Sequence, residues 1–110
     1  MSTASTASTA STSQALPFTG VVVLDLTQIY NGPYATFLLA QAGATVIKIE
    51  PPDGEHLRKR PHSEGVTQPF AVLNANKRSL TLDLKSAAGV ALFHEMVPEP
   101  MLWSRISLRV

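Results

Sequence analysis

The chain has 110 residues, 45% of them hydrophobic, and a formal net charge of +1 at pH 7. This length suits one small domain, and the near-neutral charge argues against nucleic-acid binding, which needs basic surfaces to displace counterions from phosphates. The chain has no cysteine, which excludes disulfides, thiolate catalysis and cysteine metal sites and is compatible with a reducing cytoplasm. The longest apolar run is far shorter than the roughly 20 residues of a membrane-spanning helix. We therefore expect a soluble, cytoplasmic protein.

The first part of the chain, residues 1–16, is dominated by a low-complexity tract of STA triplets followed by STS. This tract carries no charge and no large apolar side chain that could be buried, which is typical of disorder. It lacks the basic start and apolar centre of a secretory signal and the arginines of a transit peptide. We expect a disordered extension here and a folded domain that begins at Pro17.

A strand and a helix are predicted next. Val21–Leu26 is an apolar, β-branched run interrupted only by Asp25, the pattern of a strand that is covered on both faces in a parallel sheet. Gly32 and Pro33 are the cap and first residue of a predicted helix, because proline is tolerated at a first helical position. Tyr34–Ala42 is apolar nearly all round, which predicts a buried helix. Gly43 is suited to the left-handed conformation that ends a helix.

A second strand completes a βαβ unit. Thr45–Ile49 is β-branched, and the two prolines after Glu50 stop it. Ligands of open α/β sheets bind beyond the carboxyl ends of the strands, which points to the turn Gln28–Pro33. A dinucleotide-binding fold is one interpretation, with Glu50 in the place of a ribose-binding acid. The glycine-rich fingerprint is missing, however, as are a P-loop and a GxSxG nucleophile elbow.

A polar loop, Asp53–Gln68, follows the second strand and contains the densest basic run, Arg58–Arg60. Loops of this length in compact domains are usually functional or mobile. The basic run is either a solvated surface or a positively charged binding site for a polyanionic ligand. His56 and His62 have no partner at a recognisable metal-ligand spacing, so we expect surface histidines and no metal site.

The rest of the recognisable domain predicts one more strand and one more helix. Pro69–Leu73 is a short apolar segment, and Asn74–Ser79 is a polar turn whose asparagines tolerate left-handed geometry. Leu80–Leu84 alternates as a strand does, and Ser86 can cap a helix over Ala87–Val97. That helix offers four side chains to pack on the sheet, namely Val90, Leu92, Phe93 and Met96. The predicted class is α/β, a partial Rossmann-like parallel sheet of three strands with two helices.

Three segments, LDLTQIYNGPYAT, GATVIKIEPPDGE and NANKRSLTLDLKS, together resemble the N-terminal part of the class III CoA-transferases, the family of formyl-CoA transferase and α-methylacyl-CoA racemase. The resemblance covers about residues 17–97 and implies a CoA-binding domain, acyl-CoA as substrate and an interlocked homodimer. In the transferases an aspartate attacks the acyl thioester and CoA then passes to an acceptor acid, which is covalent catalysis by a carboxylate. Three alternatives stay open: a racemase of the same family, a CoA-binding module without chemistry, and an inactive fragment that does not fold.

The resemblance also implies which residues contact CoA. The CoA-contacting pair before the GP dipeptide falls on Tyr30 and Asn31, and the adenine-side LDxK motif matches Leu82, Asp83, Leu84 and Lys85. The two leucines offer apolar surface to the base, and the lysine is a cation within reach of CoA phosphates. Some members have an arginine after IKIE where this chain has Pro51, so that phosphate contact is lost or is made by Arg58–Arg60. Lys77 and Arg78 either position the turn or meet phosphate.

The family's nucleophilic aspartate has no counterpart in the matching region. We expect Asp25 to be buried in the first strand and Asp83 to belong to the CoA-side motif, so neither replaces it. We therefore expect residues 17–97 to be a truncated N-terminal domain, catalytically incomplete and short of apolar burial. Such a chain is also expected not to form the family's interlocked dimer.

The resemblance stops at residue 97, where the family continues with ADxxVENFxPG. Residues 99–110 read EPMLWSRISLRV. With one choice of synonymous codons, back-translation of this tail, read in a neighbouring frame from the last base of the glutamate codon, gives ADAVVENFAPG. We therefore expect residues 98–110 to be an aberrant tail produced by a one-base frameshift in the gene or its sequencing, with a divergent C-terminus as the alternative.

Overall fold

A computed structural model describes residues 14–60 and 65–97. Within these ranges the elements are β1 (Val22–Asp25), α1 (Asn31–Gln41), β2 (Thr45–Glu50), α2 (Gln68–Leu73), β3 (Arg78–Thr81) and α3 (Ala87–Met96). The predicted tail over residues 98–110 and the predicted surface residue His62 lie outside the described residues. So does the predicted disordered extension, apart from residues 14–16.

The three strands form one parallel sheet in the order β1-β2-β3. Val22 pairs with Thr45, and Ile47 pairs with Arg78, so β2 is the central strand. Parallel neighbours need a crossover connection, and α1 and α2 lie on the two connections. The predicted α/β class with a parallel sheet is confirmed.

The residues that were predicted to end a helix, form a turn or cap a helix do so in the structure. Gly43 follows α1 with φ of +105°, and Asn76 takes a left-handed φ of +66° in the turn before β3. The Ser86 hydroxyl caps α3 by accepting a 3.0 Å hydrogen bond from the Gly89 N–H. The first helix begins at Asn31, two residues before the predicted Pro33, because proline at the third helical position has no intrahelical N–H bond to lose.

Only one face of the sheet is well covered, which corrects two expectations. The core is a small cluster of Val23, Ala40, Ala44 and Val46 between the sheet and α1. Strand β1 was expected to be covered on both faces, yet its exposure alternates and Val22 stays 40% exposed. Helix α1 was expected to be buried all round, yet Tyr34 and Leu38 are about half exposed. Among the described helices, α1 is the one that packs on β1 and β2, and it does not bury these side chains.

The third strand was predicted over Leu80–Leu84 and instead spans Arg78–Thr81, which corrects that boundary. Its pairing with β2 explains the difference. Thr81 is opposite Glu50, the last residue of β2, and the Leu82 N–H makes one more bond to the Glu50 carbonyl at 2.9 Å. Beyond Glu50, Pro51 and Pro52 end β2, so residues after Leu82 have no strand to pair with and leave the sheet.

Two further differences concern helices. Helix α3 was expected to pack Val90, Leu92, Phe93 and Met96 on the sheet, but it contacts none of the other strands or helices within residues 14–60 and 65–97, and Leu92 is 52% exposed. The early exit of the chain from β3 carries α3 away from the sheet. Pro69–Leu73, predicted only as an apolar segment, belongs to the short helix α2, with Pro69 in its first turn and Phe70 buried.

Candidate functional site

A cavity of about 440 Å³ opens at the carboxyl ends of the strands. It is formed by the end of β1, the loop after β2 and the segment that follows β3. Its lining residues are Leu26, Gln28, Ile49, Glu50, Pro51, Pro52, Asp53, Gly54, His56, Lys59, Leu82, Asp83, Leu84 and Lys85. This is the edge of an open α/β sheet at which ligands bind.

The predicted CoA-contacting residues divide between two places. Leu82, Asp83, Leu84 and Lys85 all line the cavity. Tyr30 and Asn31 do not, although Gln28 from the same β1–α1 turn does. Tyr30 instead accepts a 3.2 Å hydrogen bond from Arg60, whose guanidinium lies 5.8 Å from the centre of its ring. The structure thus brings the β1–α1 turn and the LDLK segment to one cavity through Gln28.

Two lysines supply the cationic groups of the cavity, which is also lined by the acidic residues Glu50, Asp53 and Asp83. Lys85 and Lys59 line it on different segments, and the ammonium of Lys59 lies 3.0 Å from the exposed carboxylate of Asp53. Hydrogen bonding to Lys59 and the nearby charge of Lys85 lower the pKa of Asp53. A carboxylate of the protein therefore lies beside the cations that an anionic ligand would seek.

The basic run Arg58–Arg60 was expected to be either a solvated surface or a binding site for an anionic ligand. Arg58 fits neither expectation. Its guanidinium makes a bidentate pair with Glu50, at 2.8 and 2.7 Å, and lies 4.1 Å from the centre of the Phe70 ring. Burial alone raises the pKa of Glu50, but the hydrogen bonds and charge of Arg58 outweigh it and hold that pKa below its usual range. Arg58 therefore fastens the loop to the end of β2, and Lys59 is the residue of the run that reaches the cavity.

Lys77 was expected either to position the turn before β3 or to meet phosphate, and its contacts fit the first role. Its ammonium is buried and lies 2.9 Å from Asp25, and it also donates to the carbonyl of Pro33 and the side chain of Asn74. Burial lowers the pKa of Lys77, and Asp25 opposes part of that effect. The lysine ties β1, the start of α1 and the turn before β3 together behind the site.

Asp25 is wholly buried, as predicted, and is used structurally. Thr27, through both its N–H and its hydroxyl, and the Thr36 hydroxyl donate hydrogen bonds to its carboxylate. Burial alone raises the pKa of Asp25, but these donors and Lys77 outweigh burial and lower it. The GP dipeptide fits the same packing, because a Cβ on Gly32 would overlap the Thr27 side chain.

Sequence reasoning missed a second buried charge pair, Lys48 and Glu55. Their charged atoms are 3.6 Å apart and both side chains are almost fully buried. Lys48 donates to the Thr27 carbonyl at 3.1 Å, and Glu55 accepts from the Ile29 N–H at 3.0 Å. Ile29 has a φ of +73°, a conformation that costs about 1–3 kcal/mol for a residue other than glycine. A lysine inside an otherwise apolar strand was the signal available in the sequence.

Residues 14–60 and 65–97 contain neither a metal-binding cluster nor a membrane-spanning helix. No group of three or more histidine, aspartate and glutamate side chains is placed to hold a metal ion there. None of the helices in these ranges has the length and apolar character needed to cross a membrane. His56 is exposed at the cavity, as expected for a surface histidine.

Comparison with known proteins shows which family this chain resembles. The model of CoA-transferase family III matches residues 18–99. The acetyl-CoA:oxalate CoA-transferase of Acetobacter aceti is 42% identical over 83 residues, covering 74% of this chain and 21% of that protein. The formyl-CoA:oxalate CoA-transferase of Streptomyces coelicolor is 43% identical over 82 residues, covering 71% of this chain and 20% of that protein. The chain thus spans about a fifth of the length of these relatives.

Solved structures agree in fold. A hypothetical protein from Mycobacterium tuberculosis superposes with a TM-score of 0.69 at 35% identity, over 76% of this chain and 23% of that one. A CAIB/BAIF family protein from Brucella suis superposes with a TM-score of 0.69 at 32% identity, over 76% of this chain and 24% of that one. The matching region covers all three strands and the segments that line the cavity. The chain belongs to CoA-transferase family III.

Proposed function

We propose that residues 17–97 form a CoA-binding unit of a CoA-transferase, and that the cavity at the strand ends receives the nucleotide part of acyl-CoA. The observation that carries the proposal is the convergence of the LDLK segment, Lys59 and the β1–α1 turn on one cavity. Membership of a CoA-transferase family supports the choice of CoA over other nucleotides.

The lining offers the two kinds of contact that a nucleotide needs. Leu82 and Leu84 supply apolar surface for the adenine, and Lys85 and Lys59 supply ammonium groups for phosphate oxygens. Tyr30 and Asn31 lie outside the lining of the cavity, so in this proposal they contact the ligand beyond the nucleotide pocket. The proposal therefore assigns the phosphate contacts to Lys59 and Lys85 and invokes no metal.

The proposed reaction is transfer of CoA from an acyl-CoA to a carboxylic acid. A carboxylate of the enzyme attacks the thioester carbonyl, which forms a mixed anhydride and releases the CoA thiolate. The thiolate then attacks the anhydride carbon that came from the enzyme carboxylate, which gives an enzyme–CoA thioester and frees the first acid. The acceptor acid takes CoA by the same two steps in reverse. We place this reaction in the cytoplasm.

Neither Asp25 nor Asp83 suits the nucleophilic role. The Asp25 carboxylate is wholly buried and is held by Lys77 and two threonines. Asp83 accepts a hydrogen bond from the Lys85 N–H and belongs to the nucleotide side of the cavity. We therefore propose that this region binds CoA and that the nucleophile lies outside residues 17–97, in line with relatives about five times as long.

The test is calorimetric titration of the chain with CoA. We expect saturable binding, and we expect Lys85→Ala to weaken it by about tenfold or more, because a hydrogen bond to a charged group contributes about 1.5–3 kcal/mol. Arg78, the other residue expected to position the turn or meet phosphate, is exposed on β3 and outside the cavity lining. Arg78→Ala is therefore the control, since it removes one positive charge away from the cavity. Pantetheine, which has no nucleotide, should compete with CoA only weakly.

Equal losses for Lys85→Ala and Arg78→Ala, or no saturable binding by the parent chain, would contradict the proposal. A second assay separates a CoA-binding unit from a complete enzyme. With acetyl-CoA and oxalate, the substrates in the name of the Acetobacter relative, we expect no CoA transfer by this chain alone. Turnover would place a nucleophile within it.

A further inference from the structure

The β1–α1 turn contains a conformation that its own sequence does not favour. Ile29 has a φ of +73°, and a β-branched side chain makes this region unfavourable because its Cβ branches crowd the backbone. The residue just before it, Gln28, lines the cavity. Something outside the turn must hold Ile29 in this conformation.

A pair of buried charges from β2 and the loop after it provides that restraint. Glu55, 1% exposed, accepts the Ile29 N–H at 3.0 Å and uses its other oxygen to accept the Leu57 N–H at 3.0 Å. Lys48, 2% exposed, donates to the Thr27 carbonyl at 3.1 Å and lies 3.6 Å from Glu55. The backbone is therefore held on both sides of Gln28, at Thr27 and at Ile29.

We propose that Glu55, supported by Lys48, is a positioning residue that locks the Gln28–Asn31 turn in the conformation required for ligand binding. Backbone strain that is maintained by surrounding contacts is characteristic of ligand sites. If Ile29 relaxed to a negative φ, the adjoining peptide groups would rotate and the Ile29 N–H would turn away from Glu55. This lock rests on the proposed function in that the ligand is taken to be CoA.

The variant that tests the lock is Glu55→Gln. It preserves the shape of the side chain but removes its charge, and only one of its two terminal atoms can accept a hydrogen bond. Thr67→Val is the matched control: its hydroxyl makes a buried 2.7 Å bond to the Leu57 carbonyl of the same loop and does not touch the turn. The cavity lining does not include Thr67.

The first measurement is hydrogen exchange of the Ile29 amide, referenced to the amide of Val46 at the centre of the sheet, and it needs no ligand. We expect exchange at Ile29 to accelerate by about tenfold or more in Glu55→Gln, since that variant frees the amide or loosens the turn. Thr67→Val should leave the Ile29 to Val46 ratio unchanged. An unchanged ratio in Glu55→Gln overturns the lock.

The second measurement is a double-mutant cycle on CoA affinity. Glycine adopts positive φ without strain, so Ile29→Gly should relieve the need for the lock. We expect Glu55→Gln to weaken CoA binding by about tenfold in the parent chain and by less than threefold in the Ile29→Gly background. Equal losses in both backgrounds mean that Glu55 acts only through general stability, and the positioning role is then wrong.

The two failures are distinguishable. If the parent chain does not bind CoA, the proposed function fails, while the exchange ratio at Ile29 still decides the lock. If the parent chain binds CoA and the exchange ratio does not respond to Glu55→Gln, the lock alone fails. Should Glu55→Gln not fold because Lys48 loses its buried partner, Glu55→Gln combined with Lys48→Met takes its place, and an Ile29 to Val46 exchange ratio equal to that of Lys48→Met alone overturns the lock.

Discussion

Removal of Lys77 should be the most damaging charge change behind the site. In Lys77→Met the side chain keeps its length but loses the ammonium that lies 2.9 Å from Asp25. The side chains of the pair are 1% and 0% exposed, so water cannot replace the lost partner. The variant also leaves the Pro33 carbonyl and the Asn74 side chain without the 3.0 and 2.9 Å bonds that Lys77 donates.

The size of the effect follows from burial. Loss of one member of a buried ion pair costs about 3–5 kcal/mol, because an uncompensated charge stays in a poorly polarisable interior. Donors from Thr27 and Thr36 remain on the Asp25 carboxylate, which places our expectation near 3 kcal/mol. A core as small as this one supplies about 3–5 kcal/mol, so the change should remove most of the stability of the chain.

Urea denaturation followed by circular dichroism measures this loss. With an m value of about 1 kcal/mol/M for a small domain, we expect the midpoint to fall by about 3 M. Lys59→Met is the matched control, because Lys59 makes an ion pair of nearly the same length, 3.0 Å, with the exposed Asp53, and exposed pairs contribute about 0–1 kcal/mol. Adding Asp25→Asn to Lys77→Met should recover part of the loss.

The reasoning is refuted if Lys77→Met and Lys59→Met destabilise the chain equally. That result would mean that water reaches Asp25 and that burial does not set the strength of the pair. A second informative outcome is the absence of any recovery in the double variant. It would show that Lys77 acts through its bonds to Pro33 and Asn74 rather than through the charge of Asp25.

Three further predictions concern the cavity, the last helix and pH. Asp53→Asn should strengthen CoA binding by roughly two- to fivefold in calorimetry, because it removes a carboxylate that competes with phosphate for Lys59; weaker binding would contradict this. Gly89→Ala should destabilise the chain by about 1–3 kcal/mol in urea, although alanine normally favours a helix, since its Cβ would overlap the Asp83 carbonyl. The folded-state pKa of Asp25 is below its ordinary 3.8, so its contribution to stability is complete above about pH 5 and is lost as pH falls through the folded value. Urea midpoints from pH 6 to pH 2 should therefore fall, and Asp25→Asn should flatten that fall.

Features that depend on residues close together in the chain could be predicted from the sequence. The β-branched runs separated by a helix, the left-handed Gly43 and the Ser86 cap all formed as predicted. The sequence motifs also identified the family that the comparisons then showed. The LDLK motif singled out Leu82–Lys85 by resemblance, and these residues line the cavity; that they contact CoA stays a prediction.

Features that depend on residues far apart in the chain were decided by packing. Asp25 and Lys77 are separated by 52 residues, and Ile29 and Glu55 by 26, so no local pattern marks them as partners. The end of β3 was misplaced because the length of a parallel strand is set by its neighbour, and β2 ends at Glu50. The sequence by itself determined the order and type of the main elements through short-range backbone and capping preferences. The tertiary structure alone decided which charges are buried together, where α3 lies and which face of the sheet is covered, because each of these depends on what surrounds a side chain in space.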